Sequence, residues 1–480
     1  MGILSNTTWV GCSQGFKILV QLLSMVILAR LIPPDEYGIM GMAMVVVNLA
    51  VLVRDLGTSA AIIQRKELSD RTVNAVFWLN VSMGIFVAAF VMISSPVFAY
   101  IFHQERLVTI LCLISLGFPL GSCSAAHLAL LERQSKFKKV ALIEISSSLL
   151  SFIVAIITAM LGYGVMSLVF QLLCMNLMST VQLWLASNWR PSLHKIWDKE
   201  ELKSIFGFSS NLTMFNLINY FSRNADSMII GHYLSAAVLG AYTLAYRIML
   251  FPTQSLTFVI SRALFPILSQ YQDDPEKIRE VYYKIIYWIL FFVMPLMLGL
   301  AVLNKEFIFL VFGEKWRLTA DILVWLAPTA IIQAILNPSG TIFMSRGRTD
   351  ILMFLGVFST ILQVSAFIVG FQYGIIVFSK FYFLSNAINF FPVLYFIRYV
   401  IHFSVLILIK KVMPIFISSL MMVLVVFFFS QYSISHLDML YRLIFSVFIG
   451  VFIYGVMMFL VDAEVRHGVS RLSRRKFSKA

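Results

Sequence analysis

Eight ionisable side chains of this 480-residue chain fall inside long apolar runs, and their types define the chemistry available there. Lys17, Arg54, Arg223, Arg247 and Lys380 are basic; Asp55, Glu144 and Asp226 are acidic. A charge in the centre of a membrane span costs roughly 2.5–3.5 kcal/mol on insertion scales, so such residues face protein or a wet cavity. Guanidinium and ammonium groups in a low-dielectric setting can replace water around an anion. Carboxylates there can carry protons or hold a cation. Structural roles compete with these. Arg223 and Asp226 are three residues apart, share a helix face and can neutralise each other. Arg54 and Asp55 are adjacent and point apart, and Arg54 can also snorkel to the cytoplasmic interface. Lys380, five residues into its run, is expected to snorkel outward. Glu144 adjoins a basic loop and is expected to pair with Lys138 or Lys139. Lys17 and Arg247 are the two expected to face a cavity.

The elements that must position these residues are membrane helices. The chain is 60% hydrophobic and only 12% charged, whereas soluble domains are about a quarter charged. A soluble enzyme and a disordered chain are both excluded. The apolar runs are unbroken, which excludes the alternating strands of a β-barrel. No phosphate loop, nucleophile elbow or HExxH word is present. The four cysteines lie in apolar runs without CxxC spacing, and the seven histidines show no metal spacing. No metal, cofactor or enzymatic activity is expected.

About 20 helical residues cross the hydrocarbon core. Fourteen spans are predicted, at roughly 6–32, 37–62, 74–102, 107–130, 140–161, 164–187, 205–231, 237–260, 281–303, 319–344, 350–372, 375–397, 407–430 and 440–461. The first shows no cleavage site and is expected to be retained. Of 37 Lys and Arg, 26 lie in one set of alternate loops and the terminal tail, 6 in the other set and 5 within spans. The positive-inside rule therefore places both termini in the cytoplasm. Because the net charge of +14 is spread over these short patches, it sets orientation and does not point to nucleic acid. The basic tail, 462–480, is expected to lie against anionic headgroups. Gly11–Gly15 and Gly117–Gly121 match GxxxG, either as dimer contacts or as chance matches. Pro119, Pro252, Pro295, Pro328 and Pro338 are expected to kink spans.

The two six-helix blocks repeat. Leu28-Ala-Arg-Leu-Ile-Pro-Pro-Asp-Glu-Tyr-Gly38 matches Ile230-Gly-His-Tyr-Leu-Ser-Ala-Ala-Val-Leu-Gly240 at an offset of 202. Leu131–Lys136 matches Met344–Thr349 at 213, and Tyr163-Gly164-Val165 matches Tyr373-Gly374-Ile375 at 210. Six is even, so the repeat is parallel, about an axis along the membrane normal. The predicted organisation is an all-α polytopic protein: a six-helix lobe over 1–187, a cytoplasmic linker over 188–204, a second lobe over 205–398, two further helices over 399–461, and the tail.

Several words carry a resemblance: Leu28–Gly38, Ala61-Ile-Ile-Gln-Arg-Lys-Glu-Leu68, Ala75-Val-Phe-Trp-Leu-Asn80, Leu130-Leu-Glu-Arg-Gln134 and Leu239-Gly-Ala-Tyr-Thr-Leu-Ala-Tyr-Arg247. Over about residues 1–400 the chain resembles bacterial Wzx-type polysaccharide flippases of the multidrug/oligosaccharidyl-lipid/polysaccharide (MOP) superfamily, most of all the colanic-acid-exporter branch. The resemblance implies a MATE/MurJ-like fold, two six-helix bundles in a V around a central cavity lined by helices 1, 2, 7 and 8. It implies alternating access and an undecaprenyl-pyrophosphate-linked oligosaccharide moved from the inner to the outer leaflet of the cytoplasmic membrane. Membrane lipids, a polysaccharide polymerase and a chain-length regulator are the other implied partners. On that architecture Lys17, Arg54, Arg223 and Arg247 would meet the pyrophosphate. Ser13, Gln14, Asn48, Asn216, Asn219, Tyr220 and Lys380 would line the sugar's path, and Asp55 and Asp226 would couple transport to protons or sodium. A cation-coupled multidrug antiporter of the same superfamily is the alternative; four basic against two acidic residues on the implied cleft helices weigh against it. A membrane glycosyltransferase or polymerase fits less well, because the longest outer loop, about 304–318, is short.

Overall fold

The computed structural model describes residues 3–54, 62, 69–193, 220–221, 223–252, 274–433 and 437–466. The first compact unit spans Met1–Gly240 and the second Ala241–Ala480. In the first, the helices are α1 (Ile3–Leu31), α2 (Pro34–Arg54), α3 (Asp70–Ile101), α4 (Arg106–Ser115), α5 (Gly117–Arg133), α6 (Phe137–Met160), α7 (Val165–Ala186) and α8 (223–233). Helix α9 (Ala236–Pro252) straddles the division. In the second, they are α10 (Pro275–Val302), α11 (Asn304–Val311), α12 (Arg317–Leu336), α13 (Ser339–Ser345), α14 (Thr349–Gly370), α15 (Ile375–Ile401), α16 (Val405–Phe428) and α17 (Met439–Val461). Twelve helical segments among the described residues are long and apolar enough to cross a membrane. The two further predicted spans, 205–231 and 237–260, lie partly outside the described residues, and their described parts are helical.

Among the described residues two spans are broken, each by a proline. Pro119 lacks the N–H that would bond the carbonyl of Ser115 and crowds that carbonyl; α4 ends at Ser115 and α5 begins at Gly117. Pro338 acts likewise, between α12, which ends at Leu336, and α13, which begins at Ser339. Pro295 and Pro328 stay inside continuous helices.

Lipid tails are as apolar as leucine, so packing depends on close fit more than on water exclusion. Small residues accordingly recur among the fully buried positions of α5 and α12, Ala126 and Ala129 on the one and Ala320, Ala327, Ala330 and Ala334 on the other, beside larger ones such as Leu131, Ile322, Leu323 and Leu326. In the first unit α6 packs on α1 and α7, and α3 on α4 and α5. Residues 220–240, second-repeat by sequence, belong to this unit by contact. In the second, α12 packs on α10 and α15, and the added pair α16 and α17 docks through α16 onto α10. Helix starts are capped where the chain turns: Ser69 accepts from Thr72 N, and Asp274 from Lys277 N ahead of Pro275. After α17, Asp462 accepts the backbone N–H groups of Glu464 and Val465 with Oδ1, and the Tyr287 hydroxyl of α10 with Oδ2 at 2.7 Å. Tyr454 adds a hydroxyl bond to the carbonyl of Phe291.

Candidate functional site

The described charged residues read from the sequence are placed by six helices, α1, α2, α6, α8, α9 and α15. On α1, the Lys17 ammonium lies 2.9 Å from Glu144 of α6. Glu144 is thus bridged across the helix interface by Lys17, in place of the expected Lys138 or Lys139; Lys138 sits over the Trp9 ring instead. Ser13, one turn earlier, is buried and bonds its own helix at Val10 O, while Gln14 is half-buried.

Arg54 ends α2, and its guanidinium occupies space that a side chain at position 121 would fill: a Cβ on Gly121 would stand 2.7 Å from its Nη1. A Cβ on Gly117 would stand 2.8 Å from the Asn176 amide nitrogen. Both glycines of that GxxxG word therefore admit polar side chains of their own unit. Asn48 is exposed on α2. One turn before it, the carbonyl of Val45 accepts the hydroxyl of the buried Tyr220. Tyr220 leads into α8, where Arg223 is exposed and Asp226 buried, with Asp226 Oδ1 2.6 Å from the N–H of Ser227. The first unit thus joins Tyr220 to α2, while Lys17 is drawn to α6. Asp55, Asn216 and Asn219 lie outside the described residues.

In the second unit Arg247 is exposed on α9. Lys380 is exposed on α15, its ammonium 5.1 Å from the centre of the Trp325 ring of α12. Beside Arg247 runs a polar and aromatic group that sequence reasoning missed. Gln333 donates to the Tyr382 hydroxyl at 2.7 Å and to Asn386 Oδ1 at 3.3 Å. The Tyr246 ring lies 6.4 Å from Tyr382 and stacks on Tyr242. One helical turn on, Asn389 Oδ1 is buried without a hydrogen-bond partner. Amides and phenols cost free energy in a membrane interior unless they are bonded, so a cluster of them spread over α9, α12 and α15 marks a place where polarity is used. The clue was amides and phenols within apolar words, but Gln333 lies 49 and 53 residues from its two partners.

A second missed feature is His127 on α5. It is fully buried, with neither ring nitrogen hydrogen-bonded, among the rings of Phe77, Trp184 and Trp189. Among the described residues no group of acidic, histidine and cysteine side chains could hold a metal.

Residues 27–321 match the family model described as polysaccharide biosynthesis protein. The chain belongs to that family. It is 31% identical over 378 residues to the lipopolysaccharide biosynthesis protein WzxC of Escherichia coli strain K12, covering 77% of this chain and 75% of that one. It is 26% identical over 487 residues to the teichuronic acid biosynthesis protein TuaB of Bacillus subtilis strain 168, covering 98% of both. Its fold matches the lipid II flippase MurJ in an inward closed conformation with a TM-score of 0.78 at 16% identity, covering 95% of this chain and 99% of that one. This polysaccharide biosynthesis protein has, among its described residues, an almost wholly helical structure with twelve membrane-length apolar helices and the MurJ-like fold that the resemblance in its sequence words implies.

Proposed function

We propose that this protein flips a lipid-linked oligosaccharide, carried on undecaprenyl pyrophosphate, from the inner to the outer leaflet of the bacterial cytoplasmic membrane, with both termini in the cytoplasm. The observation that carries the reading is two exposed arginines, Arg223 on α8 and Arg247 on the apolar helix α9. An exposed guanidinium at membrane depth needs water or an anion, and pyrophosphate suits its planar fork. Arg54 adds a third guanidinium, seated on Gly121. Lys17 differs, because its charge is already answered by Glu144. The amides and phenols around Gln333 and Tyr382 suit sugar hydroxyls, which need donors, acceptors and flat rings. The prenyl tail stays in lipid. The first, second, seventh and eighth predicted spans, whose described parts include α1, α2, α8 and α9, face the substrate, and access alternates between the two sides. Asp55 and Asp226 couple the cycle to protons or sodium. A polymerase and a chain-length regulator receive the flipped unit.

The test silences the gene in its native host and quantifies undecaprenyl-pyrophosphate oligosaccharides in extracted lipid. Complete repeat units accumulate on the inner leaflet. Wild type restores export, and well-expressed Arg54→Gln, Arg223→Gln and Arg247→Gln do not. Intact surface polysaccharide with no accumulation would overturn the reading and favour small-molecule efflux.

A further inference from the structure

Residues 187–193 follow α7 and open the segment that joins the two repeats. By sequence that segment is a linker, yet its first residues are fastened to the end of the first unit where α3 begins. The N–H of Ser192 donates to Asn74 Oδ1 at 2.8 Å, and the indole N–H of Trp78 donates to the Ser192 carbonyl at 2.8 Å. Ahead of that point Trp189 enters an aromatic box, its ring centre 5.6 Å from that of Phe77 and 5.5 Å from that of His127. Trp184, near the end of α7, lies 4.7 Å from the His127 ring and donates its indole N–H to the carbonyl of Cys123. Arg190 holds the strap in shape, with Nη1 2.6 Å from the carbonyl of Ser187 and 2.7 Å from that of Trp189. Its guanidinium lies 5.9 Å from the centre of the Trp184 ring.

His127 is the group in this box whose chemistry can change. As a neutral ring it packs like its aromatic neighbours. As an imidazolium it would carry two N–H groups with no acceptor, since neither ring nitrogen is hydrogen-bonded and the side chain is fully buried. A buried charge without partners is costly. The ring faces of Trp184 and Trp189 offset part of that cost, and Arg190, the charge that acts on the imidazole, adds to it. Among the described residues, the other titratable groups on the packed elements do not answer it. On α5, Cys123 lies one turn earlier, Glu132 is within electrostatic reach of Glu144, and Arg133 donates to the carbonyl of Ile62. On α3, Asp70 and Arg71 are exposed at the helix start, and on α7 Cys174 lies almost three turns before Trp184. Moving the strap away removes both penalties together. Trp189 uncovers the imidazolium to water, and Arg190 takes its like charge with it.

We propose that His127 is a proton-operated catch for this strap. With the imidazole neutral, residues 187–193 stay docked on α3, α5 and α7. With the imidazole protonated, Trp189 and Arg190 leave the box, and the start of the joining segment is released with them. The catch does not draw on the transport reading, and its position is measured without substrate.

The full chain, with its four native cysteines replaced by alanine, is reconstituted in lipid nanodiscs and spin-labelled in pairs. Leu193→Cys with Lys136→Cys, both exposed, reads the strap. Asp70→Cys with Lys136→Cys, also exposed, reads the frame of α3 and α5. At pH 8 the first pair should show one narrow distance. At pH 5, below the range near 6.5 in which a solvated imidazole takes up its proton, a second and broader population should be at least about tenfold more abundant than at pH 8. Returning to pH 8 should remove it, and the second pair should stay narrow throughout. His127→Phe and His127→Leu keep an apolar filling in the box with no site for the proton, and both should hold the strap docked at either pH. A wild-type strap that stays docked at pH 5, one that leaves to the same extent in the His127 variants, or broadening of both pairs together overturns the catch.

Discussion

Removing Lys17 should damage the protein through the charge it leaves behind. Lys17→Met strands Glu144, whose carboxylate lies 2.9 Å from the ammonium, in a pair whose side chains are 26% and 34% exposed. An unpaired carboxylate in a span costs roughly 2.5–3.5 kcal/mol on insertion scales. About a third of this pair is open to its surroundings, so screening reduces the expected loss to about 1–2 kcal/mol. Glu144→Gln should cost less, about 0.5–1 kcal/mol, because the lysine left behind has a long stem and can snorkel. The double variant removes both charges and should recover about 1 kcal/mol relative to the sum of the single losses. Reversible unfolding in mixed micelles, followed by tryptophan fluorescence, gives all four corners of the cycle. Additivity within about 0.3 kcal/mol, or Lys17→Met as the mildest variant, would refute the reasoning. The double variant also separates structure from transport. If it is stable and exports normally, Lys17 serves the fold; if it is stable and silent, the ammonium meets substrate.

Three further outcomes are expected. Gly121→Ala should displace the Arg54 guanidinium, whose Nη1 would lie 2.7 Å from the new methyl, and lower export several-fold with little loss of stability; unchanged export would detach Arg54 from transport. His127→Phe removes two unpartnered ring nitrogens from an aromatic box and should leave thermal stability equal or higher, since replacing an unsatisfied buried polar group by an apolar one of similar shape is favourable; a fall of more than about 1 kcal/mol would show that those nitrogens are used. Tyr382→Phe deletes the acceptor for Gln333 and should cost about 1 kcal/mol in stability, with weakened saccharide export; export unchanged in rate and in specificity would place the cluster outside the substrate path.

The spans were legible because a run of about 20 apolar residues has few alternatives in a membrane. The sixth, predicted at 164–187, is helical over Val165–Ala186, and the last, predicted at 440–461, is helical over Met439–Val461. The breaks beside Pro119 and Pro338 were less legible, since Pro295 and Pro328 look alike in sequence and leave their helices whole. Individual charges were visible from their cost, but their partners were not. Glu144 sits close in sequence to Lys138 and Lys139, and its partner comes from a helix more than a hundred residues earlier. The Gln333, Tyr382 and Asn386 group escaped for the same reason. Single polar residues in apolar runs are common, and only tertiary packing assembles them.

The Asp462 clamp has a consequence for how this protein can be cut and extended. One carboxylate closes the turn after α17 and also receives the Tyr287 hydroxyl of α10. Ending the chain at Val461 would strand that phenol in the protein interior, whereas ending it just after Arg466 keeps the clamp whole. The natural seam of the molecule therefore lies a few residues past its last span. A reporter joined there hangs from a point fixed by α10, and its position reports on the body of the second unit.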